Sequence, residues 1–338
     1  MYRLTALFLN EKVAEPYVPI NYGKVEDYRI LNCLCEGAFS KTDLVRHERT
    51  KELFAVKMQH KEIVQEKQRI QNAIDELNIL KRLDSPFLPT LKAAFQTNHL
   101  ICLVLSGVEG RNVKELIKTN GAGFEPASVL FYMAELFFGI EYLHNHDIAH
   151  RDLTIDCLHI GRDGHIRICD FQSAKGEVKE NTVCYTLCTA LEYLAPETLK
   201  GRGYKRSVDW YSYGLVLVEL SGVKNPYRRD TYLETIRSIG KTTIERPYFP
   251  FANDAAHLLE NLLVIEGERY DSEQIFNHWY FKTVDWAAIR NQTMPPPPLR
   301  FLGQVEDKPL ANGQVSEASE EDLFKDFDYD ASRLPRRS

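Results

Sequence analysis

The chain has 338 residues, of which 44% are hydrophobic, and this fraction is enough for a core and excludes a wholly disordered protein. Its 42 Lys and Arg against 48 Asp and Glu give a formal net charge of −6, which argues against nucleic-acid binding as the main role. The seven cysteines include no Cys-x-x-Cys pair, so they fit neither a structural metal site nor a disulfide framework and indicate a reducing compartment, the cytoplasm or the nucleus. No window approaches about 18 uncharged apolar residues, so we expect no membrane span.

The first part of the chain is predicted to be rich in strands. Residues 53–57 form an apolar run that ends in a lysine, and residues 100–105 form a second, fully apolar run of strand length. Between them, residues 63–83 carry apolar side chains at helical spacing, which predicts one long helix. Residues 84–86, which include a proline, are expected to end that helix.

From about residue 113 the pattern becomes helical. Pro126 is expected to start a long apolar helix, and residues 209–220 are apolar nearly all round, as the core helix of a protein must be. After residue 285 the composition changes to a proline run at 295–298 and a Gly-, Ser- and Glu-rich stretch at 303–322. The sequence therefore predicts a strand-rich lobe, a helical lobe and an extended tail.

Short motifs occur in a fixed order along these elements. Phe54-Ala55-Val56-Lys57 ends a strand in a cation, and Glu76 lies on the helix that follows. His150-Arg151-Asp152-Leu153 comes after the long helix, and Asp170-Phe171 and Ala195-Pro196-Glu197 come later. In this order and at this spacing, the motifs resemble the signature set of the eukaryotic protein kinases over nearly the whole chain.

The resemblance is strongest to the AGC group of protein kinases and, within it, to the protein kinase C branch. Asp163-Gly164-His165, Ser207-Val208-Asp209-Trp210 and the tail sequence Phe324-x-x-Phe327-Asp328-Tyr329 carry it. It implies an α+β, bilobal protein-kinase fold with a strand-rich N-lobe, a helical C-lobe and an AGC-type C-terminal tail. The corresponding boundaries are an N-terminal extension at 1–27, a kinase domain at 28–281 (N-lobe 28–106, C-lobe 113–281) and the tail at 282–338.

The same resemblance implies phosphotransfer from ATP to Ser or Thr of a protein substrate, with Mg²⁺ as the metal. Lys57 would hold the α- and β-phosphates, and Glu76 would fix that lysine. Asp152 would accept the proton of the substrate hydroxyl, and Asp170 would bind Mg²⁺. Three further positions would line the nucleotide pocket: Gly37, Ala55 and Asn112.

Regulation is implied in the activation segment and in the tail. Arg151 would pair with a phosphorylated Thr186. Phe324 and Phe327 would fill a hydrophobic pocket of the N-lobe, which makes the chain's own tail one of its partners, although a merely solvated acidic tail is the alternative. Asp328 stands where many relatives carry a phosphorylated residue and would supply a permanent charge.

Several positions depart from the family pattern, and they fall on elements that handle the nucleotide. Cys35 and Ser40 replace two of the three glycines of the glycine loop, which restricts the approach of the backbone to phosphate. In the catalytic loop Thr154 replaces a Lys, and Cys157, a soft ligand, replaces the Asn that would hold a second Mg²⁺. The remaining departures lie in the adenine pocket and in the Asp-Phe-Gly triplet: Thr42, His159 and Gln172.

The segment before Ala195 departs as well, whereas the residues that hold the fold are kept. The sequence at 189–192 is Thr-Ala-Leu-Glu where Gly-Thr-Pro-Glu is usual, which is expected to remove the threonine that contacts Asp152. Glu197 is expected to pair with Arg269. A column of side chains is expected to stack above Asp209: Leu80, Leu91, Phe171 and His150.

Two functions therefore stay open. The retained Lys57, Glu76, Asp152 and Asp170 favour an active serine/threonine kinase that uses Asp152 as its base. The degenerate positions favour a pseudokinase with weak or absent phosphotransfer, which acts as an allosteric or scaffold partner in signalling. Loss of one preorganised charge contact typically costs about 10²–10³ in rate, so the losses at both 154 and 157 favour the second function.

Overall fold

The structure is a computed structural model, and it describes residues 27–37, 40–240, 253–298, 324 and 327–331. The first lobe is built on an antiparallel sheet whose strands lie in the spatial order β1-β2-β3-β5-β4. The strands are β1 (Tyr28–Glu36), β2 (Lys41–His47), β3 (Leu53–His60), β4 (Thr90–Gln96) and β5 (Leu100–Ser106). Residues 1–26 and most of the predicted tail lie outside the described residues, and the domain boundaries stay predictions.

The helix predicted over residues 63–83 is two helices, so that prediction was wrong in its continuity. They are α1 (Lys61–Glu66) and α2 (Ile70–Leu80). The break falls at Gln68, whose φ of +53° lies in the left-handed region that a helix cannot continue through. In α2 the side chains of Ala73, Glu76, Leu77 and Leu80 are buried, which is the one-face spacing of a helix packed on a sheet.

The second lobe is mainly helical, as predicted. Its helices are α3 (Val113–Asn120), α4 (Pro126–Asn145), α5 (Val208–Leu220), α6 (Tyr232–Gly240), α7 (Asn253–Leu262), α8 (Ser272–Phe276) and α9 (Trp286–Arg290). Pro126 is the first residue of α4, where its fixed φ suits a helix start, and every residue of α5 is buried. Helix α4 is long and apolar enough to cross a membrane, but 67% of its apolar 18-residue window is buried in the protein, as in a core helix.

The remaining strands are short. A three-stranded sheet is formed by β6 (Arg111–Asn112), β7 (Leu158–Ile160) and β8 (Ile166–Ile168). A last strand, β9 (Tyr329–Asp330), pairs with the edge strand β4 through Ala93 and Ala94. The strand-rich lobe and the helical lobe together confirm the predicted α+β, bilobal fold.

Tail residues that the structure describes are packed against the first lobe. The side chains of Phe324 and Phe327 are buried, and their rings meet edge to face with centroids 6.1 Å apart. The Gln96 side chain donates a hydrogen bond of 2.9 Å to the carbonyl oxygen of Phe324. Phe327 lines a small cavity with Ala73 and Glu76 of α2, while Asp328 is exposed.

Candidate active site

One lysine joins the two lobes at the site. Lys57 of β3 donates a hydrogen bond of 2.6 Å to Glu76 Oε1 and one of 2.8 Å to Asp170 Oδ1. Glu76 Oε1 also accepts the backbone N–H of Phe171 at 3.2 Å, which ties α2 to the segment after β8. Burial lowers the pKa of Lys57, but the two carboxylates outweigh burial and raise it above the usual value, so the lysine is charged. The Asp170 side chain is 49% exposed, so its carboxylate is open to a ligand.

The loop that carries Asp152 is held by a buried carboxylate of α5. Asp209 accepts the backbone N–H of His150 at 3.0 Å and that of Arg151 at 2.8 Å. The His150 ring lies 5.3 Å from the ring of Phe171. These contacts confirm the lower part of the predicted column, and its upper members, Leu80 and Leu91, are buried in the same core.

Asp152 has hydroxyl neighbours that the sequence did not predict. Burial raises its pKa, while the Thr189 hydroxyl and the backbone N–H of Ala190 lower it. The Thr189 hydroxyl makes no hydrogen bond of ordinary geometry among the described residues. The Ser173 hydroxyl lies 3.5 Å from Asp152 Oδ2, at the limit of a hydrogen bond. The expected loss of the threonine that contacts Asp152 therefore stays a prediction, because the Thr189 hydroxyl influences the pKa of Asp152 without a hydrogen bond to it.

The two altered positions of the catalytic loop bond to each other. The Cys157 thiol donates to the Thr154 carbonyl oxygen at 3.0 Å, and the Thr154 backbone N–H lies 3.3 Å from the same sulfur. The Thr154 hydroxyl accepts the backbone N–H of Asp156 at 3.2 Å. Burial raises the pKa of Cys157 well above its usual value, so the side chain is a neutral thiol. A neutral thiol turned to a backbone carbonyl does not fit Mg²⁺, which requires oxygen ligands.

The glycine missing from the altered triplet is not required by the backbone at its position. The positive φ within it belongs to Asp170, at +62°, and not to Gln172, so a side chain at 172 carries no backbone penalty. The Gln172 carbonyl oxygen accepts a hydrogen bond of 3.1 Å from the Asn72 side chain of α2. The missing glycine therefore does not prevent the arrangement of Lys57, Glu76 and Asp170.

The predicted adenine pocket is polar on one side. Asn112 Oδ1 accepts the backbone N–H of Lys114 and of Glu115, at 2.9 and 3.3 Å, and so caps α3. Its Nδ2 donates to the Asp156 carbonyl oxygen at 2.6 Å and lies 3.5 Å from His159 Nε2. Both ends of the amide are thus engaged by the protein itself, and the contact with a ribose hydroxyl stays a prediction. Burial lowers the pKa of His159 to about 4, so its ring is neutral.

Other predicted residues lie on the strands around this pocket. Ala55 is fully buried in β3, and Thr42 stands opposite Lys57 in the register of β2 and β3. Cys35 is half-buried near the end of β1, and burial raises the pKa of its thiol. The backbone N–H of Gly37 donates to the Ser40 carbonyl oxygen at 2.9 Å, and residues 38 and 39 between them lie outside the described residues.

A family model described as the protein kinase domain matches residues 28–281. The chain belongs to the protein kinase family. It is 32% identical over 279 residues to the serine/threonine-protein kinase akt-1 of Caenorhabditis elegans, which covers 81% of this chain and 51% of the relative. It is 33% identical to the Arabidopsis thaliana serine/threonine-protein kinase AtPK2/AtPK19 over 80% of this chain and 58% of the relative. It is 30% identical to the RAC serine/threonine-protein kinase of Drosophila melanogaster over 90% of this chain and 53% of the relative.

These similarities establish a eukaryotic protein-kinase domain of the AGC group and a serine/threonine-kinase fold. The chain spans a little over half the length of these relatives. The narrower resemblance to the protein kinase C branch stays a prediction. The kinase lysine, the helix glutamate and the triplet aspartate are the three residues that the structure brings together, at Lys57, Glu76 and Asp170.

Gln59 is a residue of this kinase site that sequence reasoning missed. It lies two positions after Lys57 on β3, on the same face of the strand, and it is 5% exposed. Its Nε2 donates to Glu76 Oε2 at 3.3 Å, and it shares with Phe327 the lining of the small cavity beside α2. A polar residue on the buried face of an apolar strand was the available signal.

The pH dependence of stability is expected to report on His159. Its pKa is about 4 in the folded protein and about 6.5 when unfolded, so between these values only the unfolded chain takes up a proton. The free energy of unfolding is therefore expected to fall as pH falls from about 6.5 to 4, by roughly 3 kcal/mol from this residue. Urea denaturation at several pH values would measure it.

His159→Leu is expected to remove that part of the pH dependence. His278, whose pKa is also lowered to about 4, first by burial and then by His257, contributes in the same direction. The difference between the wild type and His159→Leu therefore isolates His159, and His278→Leu serves as the matched control. Parallel curves for the wild type and His159→Leu would contradict the burial of a neutral ring at 159.

Proposed function

We propose that this AGC-type serine/threonine-kinase-fold protein transfers phosphate weakly or not at all, and acts as an allosteric or scaffold partner in signalling. The observation that carries the proposal is that the side chains of Thr154 and Cys157 are both engaged in local hydrogen bonds. Their side chains bond to the backbone of their own turn, so neither a cation nor an oxygen ligand faces the transferred phosphate. Phosphotransfer depends on positioning and on charge neutralisation. A lysine at 154 and an asparagine at 157 would serve charge neutralisation, and this chain has neither.

ATP and one Mg²⁺ are the cofactors that we propose for the pocket, with weak affinity. Lys57 would hold the phosphates, and the half-exposed Asp170 carboxylate would be an oxygen ligand for the metal. The ion would neutralise charge on the phosphates when bound. The neutral His159 ring offers adenine a polar floor in place of an apolar one, which weakens binding unless the ring is hydrogen-bonded.

An active serine/threonine kinase is the second candidate. It is supported by the arrangement of Lys57, Glu76 and Asp170, and by the Ser173 hydroxyl 3.5 Å from Asp152 Oδ2. In that case Asp152 would accept the proton of a substrate hydroxyl. The substrates of such a kinase would be proteins, as they are for the kinase relatives.

We also propose that the tail works as an internal partner of the N-lobe. The burial of Phe324 and Phe327 and the pairing of β9 with β4 support it. Lys61 Nζ lies 5.6 Å from the centroid of the Phe324 ring, which is a cation–π distance.

Nucleotide binding is tested by thermal and urea unfolding with ATP. At a concentration 100-fold over its dissociation constant, ATP is expected to raise the free energy of unfolding by about 2.7 kcal/mol. Lys57→Met is expected to lose this gain, because it removes the cation that faces the phosphates. Lys51→Met, at an exposed lysine that pairs with nearby Glu48, is the matched control and should keep it.

The same samples decide between the two candidate functions. No shift with millimolar ATP, with or without Mg²⁺, would remove nucleotide binding from the proposal. A γ-phosphate transfer signal that Asp152→Asn abolishes would replace the proposed function with that of an active kinase.

A further inference from the structure

Tyr204 holds the activation segment, which here means residues 171–190, at three points. Its backbone exchanges two hydrogen bonds with Cys184, of 2.7 and 2.8 Å. Its hydroxyl donates a short hydrogen bond to the carbonyl oxygen of Thr186. The Tyr204 side chain is itself buried, at 4% exposure. One residue of the helical lobe therefore fixes the segment on both sides of Tyr185.

The close approach of the two chain segments requires the glycine before Tyr204. Gly203 has a φ of +85°, and a Cβ atom there would lie 2.2 Å from the Val183 side chain and 3.1 Å from the Cys184 carbonyl oxygen. Only glycine combines this φ with this space. The backbone at 203–204 is thus shaped for contact with the activation segment.

Arg151 meets uncharged acceptors on the inner side of the same segment. Its Nε donates to the Ser173 carbonyl oxygen at 2.8 Å, and its Nη1 lies 3.5 Å from the Tyr204 hydroxyl. The Tyr204 hydroxyl thus uses both of its roles, as an acceptor from Arg151 and as a donor to Thr186. The side chain of Thr186 is exposed.

We propose that Tyr204 is a positioning residue that keeps the activation segment ordered without a phosphate on Thr186. The hydroxyl lies between Arg151 and the main chain of Thr186, and so connects the two residues that the family resemblance expects a phosphate on Thr186 to join. Charge on Thr186 is then not needed for order, because the bridge ends on a carbonyl oxygen. Tyr204 has this role whether or not the chain transfers phosphate.

Hydrogen exchange of the full chain, read by mass spectrometry on peptides that cover residues 178–190, tests the proposal. In dephosphorylated protein we expect this region to be protected. Tyr204→Phe removes the hydrogen bond to the Thr186 carbonyl oxygen and the longer one from Arg151, and it is expected to speed exchange there about tenfold. Thr186→Ala keeps the carbonyl oxygen and is expected to exchange as the wild type does.

A second tyrosine provides the matched control. Tyr213 is fully buried and donates a hydrogen bond of 2.8 Å to the Met133 carbonyl oxygen. Tyr213→Phe loses the same kind of bond elsewhere in the lobe and should leave exchange at 178–190 unchanged. Protection that appears only after phosphorylation of Thr186, or that Thr186→Ala abolishes, would overturn the proposal. Both outcomes are read from the wild type and from Thr186→Ala, so they can be obtained even if Tyr204→Phe fails to fold.

Discussion

Restoring the two lost residues of the catalytic loop, Thr154→Lys together with Cys157→Asn, is expected to raise phosphotransfer by roughly 10²–10³ or more. The lysine would place a cation near the transferred phosphate, and the asparagine would offer an oxygen ligand where the buried thiol now bonds to the Thr154 carbonyl. Each such contact is typically worth about 3–4 kcal/mol in the transition state, although two contacts that act together are not additive.

The measurement is transfer of the γ-phosphate to a general protein substrate, compared with the wild type at saturating ATP. The control carries the same two substitutions with Asp152→Asn, which removes the proposed base and should return the rate to background. A matched pair of single variants shows how much each position contributes. Should the double variant stay at the wild-type rate, the proposed weakness of phosphotransfer would not be explained by positions 154 and 157.

The fold was predictable because its signals are local or repeat at regular spacing. The apolar run at 53–57 became β3, and the continuous apolar pattern at 209–220 became the fully buried α5. The break between α1 and α2 was not predictable, because Gln68 adopts a left-handed conformation that its residue type does not indicate. The helical spacing of apolar residues continues on both sides of the break, so the sequence pattern predicts one helix.

The residues of the site were predictable where they belong to a motif, and not where their role depends on local hydrogen bonds. Lys57, Glu76 and Asp170 lie far apart in the chain, yet their residue types and order were enough to place them together. The role of Asn112 was not predictable, because its amide serves the start of α3, and only the structure shows that both ends of the amide are used. The same holds for the Ser173 hydroxyl, which lies 3.5 Å from Asp152 Oδ2 and was not predicted.

The departures therefore differ in their consequences. Gln172 replaces a glycine at a position where the backbone has no positive φ, so this change is compatible with the assembled site. Cys157 stands where the family pattern has an asparagine, and its neutral thiol is engaged inside its own turn, so this position offers no oxygen ligand to a metal. A count of altered motif positions would weigh both equally, whereas the local contacts separate a change that the assembled site tolerates from one that leaves its position without an oxygen ligand.

Arg269→Met is expected to lower the free energy of unfolding by roughly 3–5 kcal/mol. Arg269 makes a two-pronged ion pair with Glu197, with N···O distances of 2.8 and 2.9 Å, and both residues are buried. The predicted pairing of these residues is thus confirmed. The variant would leave the Glu197 carboxylate buried and unpaired, which is the most costly way to break such a pair.

Urea denaturation of the full chain measures the effect, with the midpoint and the slope fitted together. Arg290→Met is the matched control, because Arg290 is 60% exposed and lies 3.4 Å from Glu141, and exposed pairs contribute about 0–1 kcal/mol. Adding Glu197→Leu to Arg269→Met should recover part of the loss, since no unpaired charge then stays buried. A loss below about 1 kcal/mol for Arg269→Met alone would mean that Glu197 reaches water or another cation when its partner is removed.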